Sequence, residues 1–161
     1  MTASTVARAG LLAAALSLAG YPAQAAMSPF RALAGSWIGG GVISLADGNQ
    51  ERLRCRASYD VDGSGSAMRL NLRCASDSYN FDLSSAVEYR NGAISGEWTE
   101  ASRNASGTIE GRAAGDHIEA AATGPGFSAN LSLTTHGSRQ MVSIHPQGGD
   151  ISAVSLQLSR R

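Results

Sequence analysis

Residues 55–74 read CRASYDVDGSGSAMRLNLRC, and the only two cysteines of the 161-residue chain stand at its ends. Apolar and polar residues alternate on either side of an Asp/Gly/Ser cluster, the pattern of two strands joined by a turn. With the turn at Ser64-Gly65, Val61 faces Met68, Tyr59 faces Leu70, Ala57 faces Leu72 and Cys55 faces Cys74. Opposed β-carbons on adjacent antiparallel strands lie near disulfide distance. The pattern therefore predicts a hairpin fastened by a Cys55–Cys74 bridge on its apolar face. Closing a loop of about twenty residues stabilises the fold by roughly 3 kcal/mol on the chain-entropy estimate.

Two other readings of the stretch fit less well. Asp60, Asp62 and Ser64 occupy the first oxygen positions of a calcium loop and Gly65 its turn position, but the place of the bidentate Glu is taken by Asn71. The flanks also alternate instead of following helical period. Reactive cysteines are exposed or paired as C-x-x-C, and zinc would need further ligands at close spacing.

The same alternation runs along the chain, broken about every ten to twelve residues by turn signals. The predicted strands are Ser36–Leu45, Gln50–Val61, Ala67–Ala75, Tyr79–Arg90, Ala93–Ser102, Gly107–Ala114, His117–Thr123, Phe127–His136, Gln140–His145 and Ile151–Leu158. Ser28–Ala34 is short enough for one helical turn. A two-residue turn at Asn91-Gly92 sets Tyr89 opposite Ile94 and Ser85 opposite Trp98. A turn at Arg103-Asn104 sets Trp98 opposite Ile109 and Gly96 opposite Gly111, and one at Gly137-Ser138 sets Leu133 opposite Val142. Apolar residues meet apolar or small ones, as the correct register requires. Short connections throughout predict an all-β antiparallel meander of about ten strands that closes into an up-and-down barrel, because closure removes both exposed edges. A two-sheet sandwich is the alternative. Glycines 39–41, 96 and 111 suit the bends and close packing of a barrel wall.

The other face of the 55–74 hairpin and its flank is basic: Arg52, Arg54 and Arg56 on one strand, Arg69 and Arg73 on the next. Asp60 falls opposite Arg69 and Asp77 opposite Arg52, which leaves Arg54, Arg56 and Arg73 uncompensated. This set (Arg52, Arg54, Arg56, Arg73) is either a solvated outer wall or a patch for phosphate, carboxylate or lipid headgroups.

At the N-terminus, Arg8, the apolar run Leu11–Ala19 and the small-x-small triplet Ala23-Gln24-Ala25 form a secretory leader, with cleavage expected after Ala25. The run is short for a bilayer span, though an anchor helix is the competing reading. Residues 26–161 then form one domain, periplasmic or secreted, where paired cysteines oxidise. No later segment is long and apolar enough for a transmembrane helix. The basic and acidic counts are both thirteen, and every basic residue is Arg; losing residues 1–25 removes Arg8 and no acid. So balanced a chain has no general attraction for nucleic acid or anionic membrane.

No catalytic constellation is visible. GxSxG, HExxH, P-loop and dinucleotide fingerprints are absent. Of the three histidines, His136 and His145 fall at opposite ends of one hairpin, roughly 20 Å apart, and neither pairs with His117 in a metal motif. The residues therefore predict no enzyme and no metal.

Gly35-Ser36-Trp37-Ile38-Gly39, just after a short pre-strand segment, resembles the G-x-W start of calycin barrels (lipocalins, and especially the G-x-W-x-G form of nitrobindin-like proteins). The resemblance extends over about residues 30–161 and implies that Trp37 packs across the closed end of the barrel. It does not imply haem: nitrobindin-like proteins bind haem through a His in the final hairpin region, whereas Asp150–Arg161 has no His and His145 lies on the preceding strand. With Tyr59, Leu70, Tyr89, Trp98 and Phe127 as candidate lining residues, the expected function is non-enzymatic binding of a small apolar or amphipathic ligand in the lumen. A protein-interaction module of the cell envelope, inhibitor-like or an assembly accessory, is the alternative.

Overall fold

The computed structural model describes residues 27–161, so the leader and its cleavage point after Ala25 lie outside the described residues. A 3-10 turn, Pro29–Ala32, precedes ten strands: β1 (Gly35–Leu45), β2 (Gln50–Val61), β3 (Ala67–Ala75), β4 (Asn80–Arg90), β5 (Ala93–Glu100), β6 (Ala105–Ala114), β7 (His117–Gly124), β8 (Phe127–His136), β9 (Arg139–Pro146) and β10 (Ile151–Arg160). Each strand pairs antiparallel with its neighbours in sequence, and β1 pairs with β10 to close a barrel. Closure decides against the sandwich. No described helix is long and apolar enough to cross a membrane.

The β2–β3 hairpin has the expected register: Cys55 pairs with Cys74, Tyr59 with Leu70 and Val61 with Met68. The cysteines are bonded to each other, and both are buried. At Asn91-Gly92 both residues have positive φ, 50° and 87°, the conformation a two-residue hairpin turn matched to strand twist demands.

One register differs. Trp98 lies opposite Gly107, and Gly96 opposite Ile109; the predicted partners were Ile109 and Gly111. The cause is Glu100. Its carboxylate accepts hydrogen bonds from the backbone N–H groups of Ser102 at 3.3 Å and Arg103 at 2.8 Å. It thereby ends β5 early and centres the turn one residue sooner. Moving the pairing by two residues keeps every side chain on its own face, so alternation alone could not reveal it.

The lower end is plugged. Trp37 is 1% exposed, and its indole N–H donates to the Leu33 carbonyl at 2.7 Å. The Arg160 guanidinium lies 4.4 Å from the centre of the indole ring and donates to the carbonyls of Ala32 and Ala34. Phe30 meets Tyr89 edge-on at 6.0 Å. Just above, the Tyr59 hydroxyl donates to Gln140 at 2.9 Å. Burial pushes this phenol above its usual range, only partly opposed by the Gln140 contact, so it stays a donor. Inward glycines let the wall coil tightly: a β-carbon at Gly41 would collide with the Ser155 carbonyl, and one at Gly96 with that of Ala86.

Because the bridge closes a 19-residue separation, replacing both cysteines by Ser should cost roughly 3 kcal/mol and lower Tm by several degrees. Thermal melts of the variant and of the wild type with and without reductant check this; superimposable melts, with two titratable thiols in the native protein, would refute it.

Candidate functional site

Inward side chains change size along the barrel. Below lie Trp37, Tyr59, Tyr89 and Phe30. Above, the β6–β8 side carries Ala105, Ala122 and Ala129, facing Leu53, Leu72, Leu83 and Leu156 across the lumen. The small residues leave a cavity of about 410 Å³, within the range of small-molecule sites. Its walls are almost wholly apolar, and Cys74 of the bridge forms part of them. It opens between the β3–β4, β5–β6, β7–β8 and β9–β10 connections. Among the described residues no buried side-chain nitrogen or oxygen lacks a hydrogen-bond partner.

Of the five candidate lining residues, Trp98 and Phe127 line the cavity, with their rings 5.3 Å apart and edge-on. The Trp98 indole N–H donates to the Thr123 carbonyl at 3.3 Å, so a polar atom is satisfied at the wall. Tyr59, Leu70 and Tyr89 are corrected: they point inward but sit below the cavity floor, in the filled half. Alternation assigns a residue to a face, not to a height along the barrel axis, and these three lie on the closed-end halves of β2, β3 and β4. Trp37 packs at the closed end.

The rim carries an unpredicted polar cluster. Glu100 is 7% exposed, and besides the two turn N–H groups it accepts from the Asp82 N–H at 2.8 Å and the Ser102 hydroxyl at 2.5 Å. Burial alone would raise its pKa. The hydrogen bonds from Ser102, Asp82 and Arg103 outweigh burial and hold it below the ordinary 4.5. Arg103 spans the rim: Nη1 donates to the Asn80 carbonyl at 3.1 Å and approaches Glu100 at 3.5 Å, and its guanidinium lies 4.7 Å from the Phe81 ring centre. The sequence held one signal for this cluster: Glu100 shares the inward parity of Trp98, an unusual place for a carboxylate.

The arginines of β2 and β3 point outward. Arg52, Arg54 and Arg56 are exposed and have no carboxylate within 4 Å among the described residues, but Arg73 is corrected: it pairs with Asp82 at 3.3 Å. The β3–β4 register sets these two opposite each other. Asp77, expected opposite Arg52, lies beyond the end of β3. A shallow outer depression runs past Arg54, Arg56 and Arg73. The histidines are dispersed: His117 contacts Thr134 at 2.8 Å, His136 pairs with Asp116 at 2.7 Å, and His145 is exposed. Among the described residues no group of three or more His, Cys, Asp or Glu is placed to hold a metal.

The barrel is similar to solved structures. Rv2717c from M. tuberculosis superposes with a TM-score of 0.65, at 13% identity, over 81% of this chain and 93% of that one. An S-type phycobiliprotein lyase, CPES, from Guillardia theta superposes with a TM-score of 0.61, at 11% identity, over 82% and 89%. These likenesses show the fold alone, a closed ten-stranded antiparallel barrel. No family model and no curated protein matches the chain.

The sign of the Glu100 contribution follows from its depressed pKa. Its stabilisation is present above the unfolded value near 4.5 and is lost as pH falls through the lower folded value. Glu100→Gln should therefore destabilise the protein at neutral pH and flatten the fall in Tm below pH 4.5. Parallel melts across that range check it; an acid limb of unchanged slope in the variant would contradict the assignment.

Proposed function

We propose that this chain is a non-enzymatic, exported barrel that binds a small apolar or amphipathic molecule in the upper half of its lumen. The observation that carries the reading is the apolar cavity of about 410 Å³ that opens at the rim above the plugged end. Apolar walls with a few polar groups at the mouth are what a ligand with a hydrophobic body and a wet end requires. The buried Cys55–Cys74 bridge supports an oxidising compartment, in keeping with the leader read at residues 1–25. One structural neighbour is a phycobiliprotein lyase; at so low an identity that likeness supports the barrel and not the reaction.

A solvatochromic naphthalene dye should enter the lumen with micromolar affinity, gain fluorescence and take excitation energy from Trp98. Ala129→Trp, which fills the lumen, should abolish uptake while leaving the fold intact by circular dichroism. Uptake that survives this variant would place the dye elsewhere, and no uptake by the wild type would overturn the reading.

A second reading, an envelope protein-interaction module, is favoured by one observation: Arg52, Arg54 and Arg56 form an outward row without carboxylate partners among the described residues. Such a row suits an acidic partner surface. Cross-linking in an envelope extract should capture an acidic protein with the wild type and lose it with all three arginines changed to Ser. Identical capture by both proteins would count against this wall as the interface.

A further inference from the structure

We infer that the lumen accepts one unbranched hydrocarbon tail of about ten carbons, tail inward, with an anionic head held at the rim by Arg103. This deepens the ligand-binding reading and rests on it.

The tail length follows from the floor. On β10 the cavity wall runs from Ile151 to Leu156, while the next inward residue, Leu158, lies outside the lining. Five strand steps, tilted as in other barrels, descend about 13 Å along the axis. An extended chain advances about 1.2 Å per bond, so this depth takes about ten carbons. Below the floor the Tyr59–Gln140 hydrogen bond and the Trp37 plug leave no continuation.

The head assignment follows from what the rim leaves unused. Inside, every buried side-chain polar atom among the described residues is already partnered, so a polar group drawn into the lumen would find no new hydrogen bond there. At the rim, Glu100 is saturated by the β5–β6 turn. Arg103 engages its neighbours through Nη1 alone, leaving Nε and Nη2 without a partner among the described residues. Its side chain is 44% exposed and is steadied by the Phe81 ring. Asp150 is the other charged residue of the rim; it lies across the mouth on the β9–β10 connection.

The test is a titration of the wild type with straight-chain carboxylates of about six to about sixteen carbons, each displacing the lumen-bound dye. Affinity should rise about four-fold per added methylene and stop rising near about ten carbons. Leu156→Ala, which lowers the floor, should move the stopping point to a longer chain. The carboxylate should bind several-fold more tightly than the alcohol of equal length. Arg103→Gln should erase that difference and Arg103→Lys should restore part of it. Affinity still climbing at the longest chain would overturn the floor, and equal binding of acid and alcohol would overturn the head. Dye uptake without displacement by any chain would sink this inference while sparing the ligand-binding reading; no dye uptake at all would instead sink that reading.

Discussion

The seam between β1 and β10 is the constraint on which the rest of the molecule depends. It joins the two ends of the sheet, with Trp37 opposite Arg160 and Ile43 opposite Val154. Every other pairing is a local hairpin that closes a short loop. This one must close nearly the whole domain, so it carries the largest loop-closure cost and depends on the others already being in place. Two features favour it. Gly39 and Gly41 let β1 approach β10 where a β-carbon would strike backbone, and Arg160 covers Trp37 while bonding the carbonyls that precede β1. The guanidinium thus ties the last strand to the segment before the first one through charge-assisted hydrogen bonds and a cation–π contact. Without the seam there would be two open edges and no lumen.

Once the barrel is closed, side-chain volume alone divides its interior. The same wall that accommodates Trp37, Tyr59 and Phe30 below carries Ala105, Ala122 and Ala129 above. Inward alanines do not collapse the space they leave, because the strands are held apart by their own hydrogen-bond ladders and by the large residues beneath. The cavity is therefore a consequence of where the small residues fall along β6, β7 and β8. The filled half is what keeps it open.

Much of this was legible from alternation. The period of two sorted nearly every residue correctly into inside or outside, and three turns set their registers, because Asn91-Gly92, Gly137-Ser138 and the Asp/Gly/Ser cluster at 62–66 each admit one good hairpin. What alternation could not supply was position along the axis. Tyr59, Leu70 and Tyr89 are inward, as read, yet lie beneath the cavity; their height depends on barrel stagger, which no single hairpin encodes. The β5–β6 register failed for a related reason: a shift of two residues leaves every face unchanged, and the choice was made by the Glu100 side chain, not by the pattern. The β2–β3 hairpin alone leaves Arg73 unpaired, because its partner, Asp82, stands on the next strand, β4.

The bridge connects these levels. Cys74 is at once the anchor of the hairpin and part of the cavity wall, so the covalent closure of the hairpin and the surface of the lumen meet at one sulfur. A bonded pair offers an apolar, non-ionising surface, whereas two thiols there would add donors with nothing to bond to and room to move. Oxidation therefore stabilises the β2–β3 hairpin and fixes the shape of the wall beside Leu53 and Leu72 in the same step. Fold and cavity wall are coupled through the pair of residues that bounds the 55–74 stretch.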